Sequence, residues 1–277
     1  MTISGVFLSV FSGPRPYPPA EAAEREELHL CQAYRAALPM SDIALPSSAL
    51  RNHVLAEWVH DERLTVDVRS GDELELAVAV GIHPGRMTLH ADGLHESELR
   101  AAIALGPGRI VVSSMGQLHV LAPAVGRRTQ GVVVRVTDVN PAAPAVAGEE
   151  DSVARNFRFD SVELATAISW ISAMVRLNLV GLHCDVGSND HDFVSYPAAI
   201  GDMITEMASI RRHHGVVLNR VGLGGGRAVP SGDWSVELPD LAAQIDQSVD
   251  DACATLRHPR PLVVLSPGQA IVGRIAA

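Results

Sequence analysis

The stretch "LTVDVRSGDELELAVAVGIHPGRMTLHADGLHESELRAAIALGPGRIVVSS", residues 64–114, decides the fold. Three short runs rich in aliphatic and β-branched residues, "LTVDV", "RMTLH" and "RIVVSS", enclose two segments with apolar positions at helical spacing, "GDELELAVAVG" and "ESELRAAIALG". Strands that alternate with helices in this way pair in parallel through right-handed crossovers.

The alternation continues in both directions. Further strand candidates are "DIAL" at 42, "GVVVRVT" at 131, "LVGLHCDV" at 179, "VLNRVGL" at 217 and "PLVVLS" at 261, which brings the total to eight. Between them lie helical patterns such as "SALRNHVLAEWVHD", "SVELATAISWISAMVRL", "YPAAIGDMITEMASIRRHH" and "LPDLAAQIDQSVDDACATLR". Eight β-α units predict closure into a (β/α)8 TIM barrel in preference to an open doubly wound sheet. Ahead of them, "SGVFLSVF" reads as a strand, "GPRPYPP" as an irregular loop and "AEAAEREELHLCQAYRAAL" as a helix. The expected organisation is an N-terminal segment 1–41 packing on a barrel 42–277, with "PAAPAVAGEED" a flexible excursion after the fifth strand.

Composition agrees with a core of buried parallel strands: 47% of residues are apolar but only 4% aromatic, so aliphatic side chains must fill it. A formal net charge of -10 argues against nucleic acid or an anionic membrane as partner. The three cysteines, Cys31, Cys184 and Cys253, form no C-x-x-C pair and suit a reducing compartment. No run reaches the roughly 18 apolar residues of a membrane span, and the N-terminal apolar stretch lacks the basic flank of a signal peptide. The expectation is a cytoplasmic protein with a small-molecule ligand and neither nucleic acid nor membrane as partner. One count says more: all 22 Lys+Arg positions are arginine, so chemistry that needs a lysine amine is excluded within these residues.

In barrels of this kind function collects at the carboxyl ends of the strands. That rule selects Asp67, Arg69, His90, Asp92, Ser113, Ser114, Arg135, His183, Asp185, the glycines at 224–226 and the segment from Ser266 to Gln269. Asp185, His183, His90 and Asp67 are the candidates for proton chemistry. The segments "HADGLH" and "HCDVGSNDH" add His95, Asp190 and His191, a mixture of imidazole and carboxylate suited to a divalent metal or to acid-base work. With 12 histidines in the chain, chance clustering is the plainer account. No metal site is assigned, and His90 and His183 read as buried, hydrogen-bonded scaffold. Asp185 is expected to face the open mouth or to pair with Arg69 or Arg135, because an unpaired buried carboxylate is costly. Strand alternation turns Cys184 to the helix layer. In "GLGGGRAV", consecutive glycines let backbone N–H groups approach an anion, and Ser188 and Gly268 lie after the neighbouring strands. Ser188, Gly224, Gly225, Gly226 and Gly268 thus form a candidate phosphate cup.

The order of these motifs resembles the barrel domain of the diaminopimelate decarboxylase group of fold-type III pyridoxal-phosphate enzymes, relatives of ornithine and arginine decarboxylases and of alanine racemase. The resemblance runs from about residue 40 to 275 and also rests on "GRIVVSSMGQL", "LVGLHCDVGSN", "VGLGGG" and "SPGQAIVG". It implies an alanine racemase-like barrel and a cofactor phosphate held by the cup. Departures fall on the reacting positions. Ser48, in "LPSSAL", stands where the family has its cofactor-binding lysine, and Asp185 stands where a histidine stacks on the cofactor ring. Ser266 and Gln269 replace the glutamate and arginine of a Glu-Pro-Gly-Arg segment, and a neutral serine cannot hold a pyridinium proton as a carboxylate does. Ser48 has no base beside it in sequence to make it a nucleophile. On this reading the family's C-terminal β domain is expected to be absent.

The resemblance with its departures implies a degenerate barrel that cannot form a lysine aldimine and binds a phosphorylated small molecule, non-covalent pyridoxal 5'-phosphate included, without decarboxylation. Two other readings stay open. One is an enzyme repurposed to lysine-independent acid-base or metal-assisted chemistry in biosynthesis, and the other is an interaction subunit of a full-length relative. The assembly could be a homodimer or a pairing with a related subunit.

Overall fold

The structure, a computed structural model, describes residues 20–137, 156–186, 195–224 and 234–268. Its strands are β1 (Ser41–Pro46), β2 (Thr65–Val68), β3 (Met87–His90), β4 (Arg109–Val112), β5 (Gln130–Thr137), β6 (Phe157–Arg158), β7 (Leu177–Asp185), β8 (Arg220–Gly224) and β9 (Leu262–Leu265). All pair in parallel, and pairing of β4 with β5 closes eight of them into a ring, β1-β2-β3-β4-β5-β7-β8-β9 and back to β1. The helices are α1 (Ala20–Ala37), α2 (His53–Asp61), α3 (Gly71–Ala79), α4 (Glu96–Leu105), α5 (Met115–Ala124), α6 (Val162–Ala173), α7 (Tyr196–His214) and α8 (Trp234–Leu256). This is a (β/α)8 TIM barrel, and each expected strand of the barrel is present. The two-residue β6 was not expected; it extends the carboxyl end of β5 by pairing with Val136 and Thr137.

Alternation along the strands separates two environments. Val66 and Val68, Leu89, Ile110 and Val112, and Leu223 are fully buried between sheet and helices. Burial of each such side chain contributes about 1.5–3 kcal/mol. Cys184 lies in the same layer, as expected. The opposite parity points into the barrel and forms tiers. Thr65, Thr88, Arg109 and Arg220 lie at the floor, the buried Ala44, Val111 and Val133 fill the middle, and Asp67, His90, Arg135, His183, Asp185 and Ser266 stand at the mouth.

Short-range capping starts most helices. The side chains of Ser70, Ser114, Ser161 and Ser195 accept the backbone N–H three residues on at 3.2, 3.3, 3.0 and 3.4 Å, each cap contributing roughly 1 kcal/mol. The helix expected over 48–61 is instead a 3-10 turn, Ser47–Arg51, followed by α2. Asn52 causes the break: its Oδ1 caps Leu55 N at 3.0 Å while its amide donates to Glu27 Oε2 at 2.8 Å and to the Glu24 carbonyl at 3.0 Å. Both acceptors belong to α1, which buries Leu30, Cys31 and Tyr34 against the barrel. The strand expected at 4–11 and the excursion at 141–151 lie outside the described residues.

Two glycines separate packing from conformational freedom. A Cβ on Gly181 would sit within 2.8 Å of Arg220 Cβ and meet the Arg220 backbone, which cannot retreat without opening β7 from β8, whereas a Cβ on Gly201 in α7 would meet nothing within 4 Å. Chemical denaturation of Gly181→Ala should show a loss of about 1–3 kcal/mol, and of Gly201→Ala a gain of about 0.4–1 kcal/mol.

Candidate functional site

The mouth is assembled from side chains that are distant in sequence. Ser266 Oγ donates to Asp67 Oδ2 at 2.6 Å, joining the two strands that flank β1, and the other oxygen of Asp67 lies 3.6 Å from His90 Nε2. His90 meets His183 edge to face, with ring centroids 5.1 Å apart and planes at 78°. On β5, Arg135 Nη1 donates to Asp92 Oδ2 at 2.8 Å while its Nη2 pairs with Asp185 Oδ2. His183 Nε2 stands 3.5 Å from the second oxygen of Asp185. The expected pairing of Asp185 therefore goes to Arg135 and not to Arg69.

The glycines of β8 make room for this cluster. A Cβ on Gly222 would lie 2.5 Å from His183 Nδ1, and one on Gly224 would collide with Asp185 Oδ1 and stand 3.0 Å from His183 Nε2. The imidazole and carboxylate of β7 thus occupy space that side chains on the neighbouring strand would fill.

Burial and charge set the protonation states. Burial, reinforced by the neighbouring His90, Arg135 and Arg69, pushes the His183 imidazole well below its ordinary value of 6.5, so it is neutral at physiological pH. Burial works to raise the Asp67 carboxyl, but His90, the Ser266 hydroxyl and Arg69 together outweigh it and hold it below its ordinary value. Asp92 is likewise lowered, burial being outweighed by Arg135, His90 and Arg69.

The ring nitrogens carry a correction. His90 and His183 are buried as expected, but among the described residues neither nitrogen of His90 has a hydrogen-bond partner, nor has Nε2 of His183, so the hydrogen bonds expected of His90 are not made there. Asp92 Oδ1 is unpartnered in the same way. Buried polar atoms left in this state cost about 1–3 kcal/mol each, and they give a molecule entering the mouth groups to satisfy. The Ser266 hydrogen is committed to Asp67, so its oxygen is free to act as an acceptor.

Of the residues selected from sequence, Asp67, His90, Asp92, Arg135, His183, Asp185 and Ser266 come together. Four others do not. Arg69 is exposed, and its backbone N–H donates to Glu73 Oε2 at 2.6 Å. Ser114 caps α5, and Ser113 serves the same helix start through Gln117 Oε1, 2.6 Å from its N–H and 3.2 Å from its hydroxyl. His95 is exposed at the start of α4, where its N–H donates to Glu98 Oε2 at 2.8 Å. Ser48 is half-buried in the 3-10 turn. Gly224 ends β8, and Gly268 follows β9 with φ +47°, a left-handed conformation that favours glycine. Ser188, Gly225, Gly226, Gln269, Asp190 and His191 lie outside the described residues. Among the described residues no group of three or more His, Cys, Asp or Glu could hold a metal ion, and no helix is long and apolar enough to cross a membrane. The link from Ser266 to Asp67, 199 residues apart, was missed; its only trace in the sequence is that both fall on inward strand positions.

A closed parallel barrel with a buried cluster of histidine, carboxylate and arginine at its strand ends defines an alanine racemase-like (β/α)8 protein. Residues 26–273 match the model of the pyridoxal-dependent decarboxylase, pyridoxal binding domain, and the chain belongs to that family. It is 34% identical over 247 residues to the diaminopimelate decarboxylase of Actinosynnema pretiosum subsp. auranticum, covering 88% of this chain and 55% of the relative. The corresponding enzyme of Mycobacterium tuberculosis is 32% identical over 233 residues, covering 79% of this chain and 51% of the relative. The chain spans about half the length of these curated relatives. In fold it is similar to the diaminopimelate decarboxylase from M. jannaschi, with TM-score 0.72 at 19% identity over 90% of this chain and 60% of the other. The Paramecium bursaria Chlorella virus arginine decarboxylase bound to agmatine gives TM-score 0.69 at 16% identity over 90% of this chain and 63% of the other.

The family implies pyridoxal phosphate, and the residues present do not fit a lysine-bound form of it. The 277 residues include no lysine, Ser266 is engaged with Asp67, and Asp185, at the ring-stacking position of the resemblance, is tied to Arg135.

The shifted groups set the pH dependence of stability. Asp67 and Asp92, lowered in the fold, contribute stability that is present above the ordinary carboxylate value of 3.8 and is lost as pH falls through their folded values. His183, neutral in the fold, takes up a proton first in the unfolded chain, so stability starts to fall as pH drops below about 6.5. Urea midpoints measured between about pH 8 and pH 3 should decline in two stages. His183→Gln should remove the upper one.

Proposed function

We propose that this chain is a ligand-binding member of the pyridoxal-dependent decarboxylase family that holds a phosphorylated small molecule at its mouth and does not decarboxylate through a lysine-linked cofactor. The observation that carries the reading is the pairing of Arg135 with Asp92 and Asp185 in a barrel without lysine. That ion pairing ties up Asp185, at the ring-stacking position of the resemblance, and Ser48 stands at the attachment position, while the phosphate-cup motif persists at Ser188, Gly224 to Gly226 and Gly268. Backbone N–H groups of the loops after β7, β8 and β9 would take the phosphate. His90, His183 and the Ser266 oxygen would meet the polar head of the ligand. Pyridoxal phosphate held without a covalent bond is one candidate. The setting we propose is cytoplasmic, with the chain alone, as a homodimer, or paired with a longer relative.

A second reading, acid-base catalysis without lysine, is favoured by the unpartnered nitrogens of His90 beside Asp67. In it His90 Nε2 would take or give the proton, and Asp67 would stabilise the imidazolium.

Both readings are tested by adding pyridoxal phosphate to the purified chain, following the melting temperature, reducing with borohydride and weighing the intact protein. The binding reading expects stabilisation, about 2.7 kcal/mol at a hundredfold excess over Kd, with no added mass on a barrel residue. A reduced adduct at such a residue, or no stabilisation by pyridoxal phosphate or pyridoxine phosphate, would contradict it. Catalysis would instead return a chemically changed ligand from wild type and an unchanged one from His90→Gln.

A further inference from the structure

Four neighbouring turns at the amino-terminal end of the barrel, opposite the mouth, hold arginines and no carboxylate. They lead into β5, β7, β8 and β9, consecutive strands of the ring, and read "GRRTQ" at 126–130, "MVRLN" at 174–178, "RRHHGVVLN" at 211–219 and "RHPRP" at 257–261. Arg127, Arg128, Arg176, Arg211, Arg212 and Arg257 are exposed, and among the described residues none of them has a carboxylate within ion-pair distance. Arginines elsewhere do: Arg35 pairs with Glu62 and Arg100 with Glu96. Arg260, the seventh arginine of these turns, takes Asp246 and Asp250 of α8.

Backbone carbonyls hold three of the six in place. Arg176 Nη1 donates to the Gly126 carbonyl at 2.9 Å, Arg128 Nη2 to the Ile103 carbonyl at 3.0 Å and Arg211 Nη1 to the Arg257 carbonyl at 2.7 Å. A neutral acceptor fixes a guanidinium without cancelling its charge. The helix dipole accounts for Arg211 and Arg212 in the last turn of α7, but Arg127, Arg128 and Arg176 come three or four residues after α5 and α6 have ended. Counting Asp246, Asp250 and Asp251 of α8 against the seven arginines, with histidines neutral, leaves four positive charges on this arc. The whole chain is -10, so everything outside the arc sums to -14. Val175 and Val217, exposed to 96% and 49%, stand in the same turns.

We propose that this arc is a docking surface for an acidic segment of a protein partner, independent of whatever the mouth binds. Like charges held side by side repel one another, and carboxylates arriving from a partner relieve that repulsion while taking bidentate hydrogen bonds from the guanidinium forks. Arginines already anchored to carbonyls lose less freedom on binding than loose ones. Val175 and Val217 give the partner apolar contacts between the charges, and arginine with apolar side chains is the composition of a protein interface. A nucleic acid fits less well. It would extend past the arc onto a remainder at -14, and the four turns hold no Phe, Tyr or Trp on which a base could stack.

The test measures binding and locates it. A labelled glutamate-rich peptide carrying valines should bind the full chain in fluorescence anisotropy, more weakly as salt is raised. Arg127 and Arg212 make no side-chain hydrogen bond or ion pair among the described residues, so reversing both leaves the turns built. The double variant Arg127→Glu, Arg212→Glu should melt like wild type and bind the peptide about tenfold more weakly, through two lost charge contacts and the repulsion that replaces them. Arg51→Glu, Arg100→Glu, with the same net charge but changed elsewhere on the surface, should bind as wild type does. Hydrogen exchange with peptide present should slow in the four turns. No binding of the peptide, equal loss in both double variants, or protection outside the four turns would overturn the proposal. Tighter binding of an oligothymidylate or of vesicles rich in phosphatidylserine than of the peptide would overturn it in favour of a nucleic acid or a membrane.

Discussion

The guanidinium of Arg135, held between Asp92 and Asp185, is the interaction on which the mouth depends. Two carboxylates at the end of a closed barrel are costly unless an opposite charge meets them, and a single arginine meets both. Its position follows from register: Arg135 of β5 lies opposite His183 of β7, two residues before Asp185. Around this ion pairing the other choices fall into order. Gly222 and Gly224 leave space for His183 and Asp185, His183 is kept neutral, and Asp67 turns to Ser266 for its hydrogen bond.

The fold is insulated from these choices. Aliphatic side chains between sheet and helices hold the barrel together, while the inward tiers carry polar groups at both ends and small or branched apolar residues between them. Replacing a reacting group at the mouth leaves the outer layer untouched. That separation explains how the chain keeps the family's barrel while its mouth lacks the lysine and holds an aspartate and a serine at positions where the resemblance expects a histidine and a glutamate. Family membership and fold come from the shell, and function must be argued from the mouth.

Much of the shell was legible in the sequence, because strands announce themselves by local β-branched runs and helices by local periodicity. The helix at 196–214 has the bounds read from its pattern, and α1 extends nearly as far as expected. Where the reading failed, contacts made at long range decided. The helix over 48–61 breaks because Asn52 bonds to α1, a partner that periodicity does not show. The mouth was partly legible: the cost of charge burial left Asp185 either the open mouth or an arginine partner, and the strand-end rule selected Asp67, His90 and His183 together. The bond from Ser266 to Asp67, the unpartnered state of His90 and the diversion of Ser113 and Ser114 to the start of α5 depend on distances across the barrel or on capping geometry, and no spacing rule supplies those.

The most direct measurement of the central proposal, that Arg135 keeps Asp185 from the ligand and that no lysine-linked bond forms, is a crystal structure of the chain grown with pyridoxal phosphate. The expected result is Arg135 still bridging Asp92 and Asp185, the phosphate among the loops after β7, β8 and β9, and no bond from the ligand to any side chain. A ligand ring that displaces Asp185 from Arg135, or electron density continuous from the ligand into a barrel residue, would contradict it.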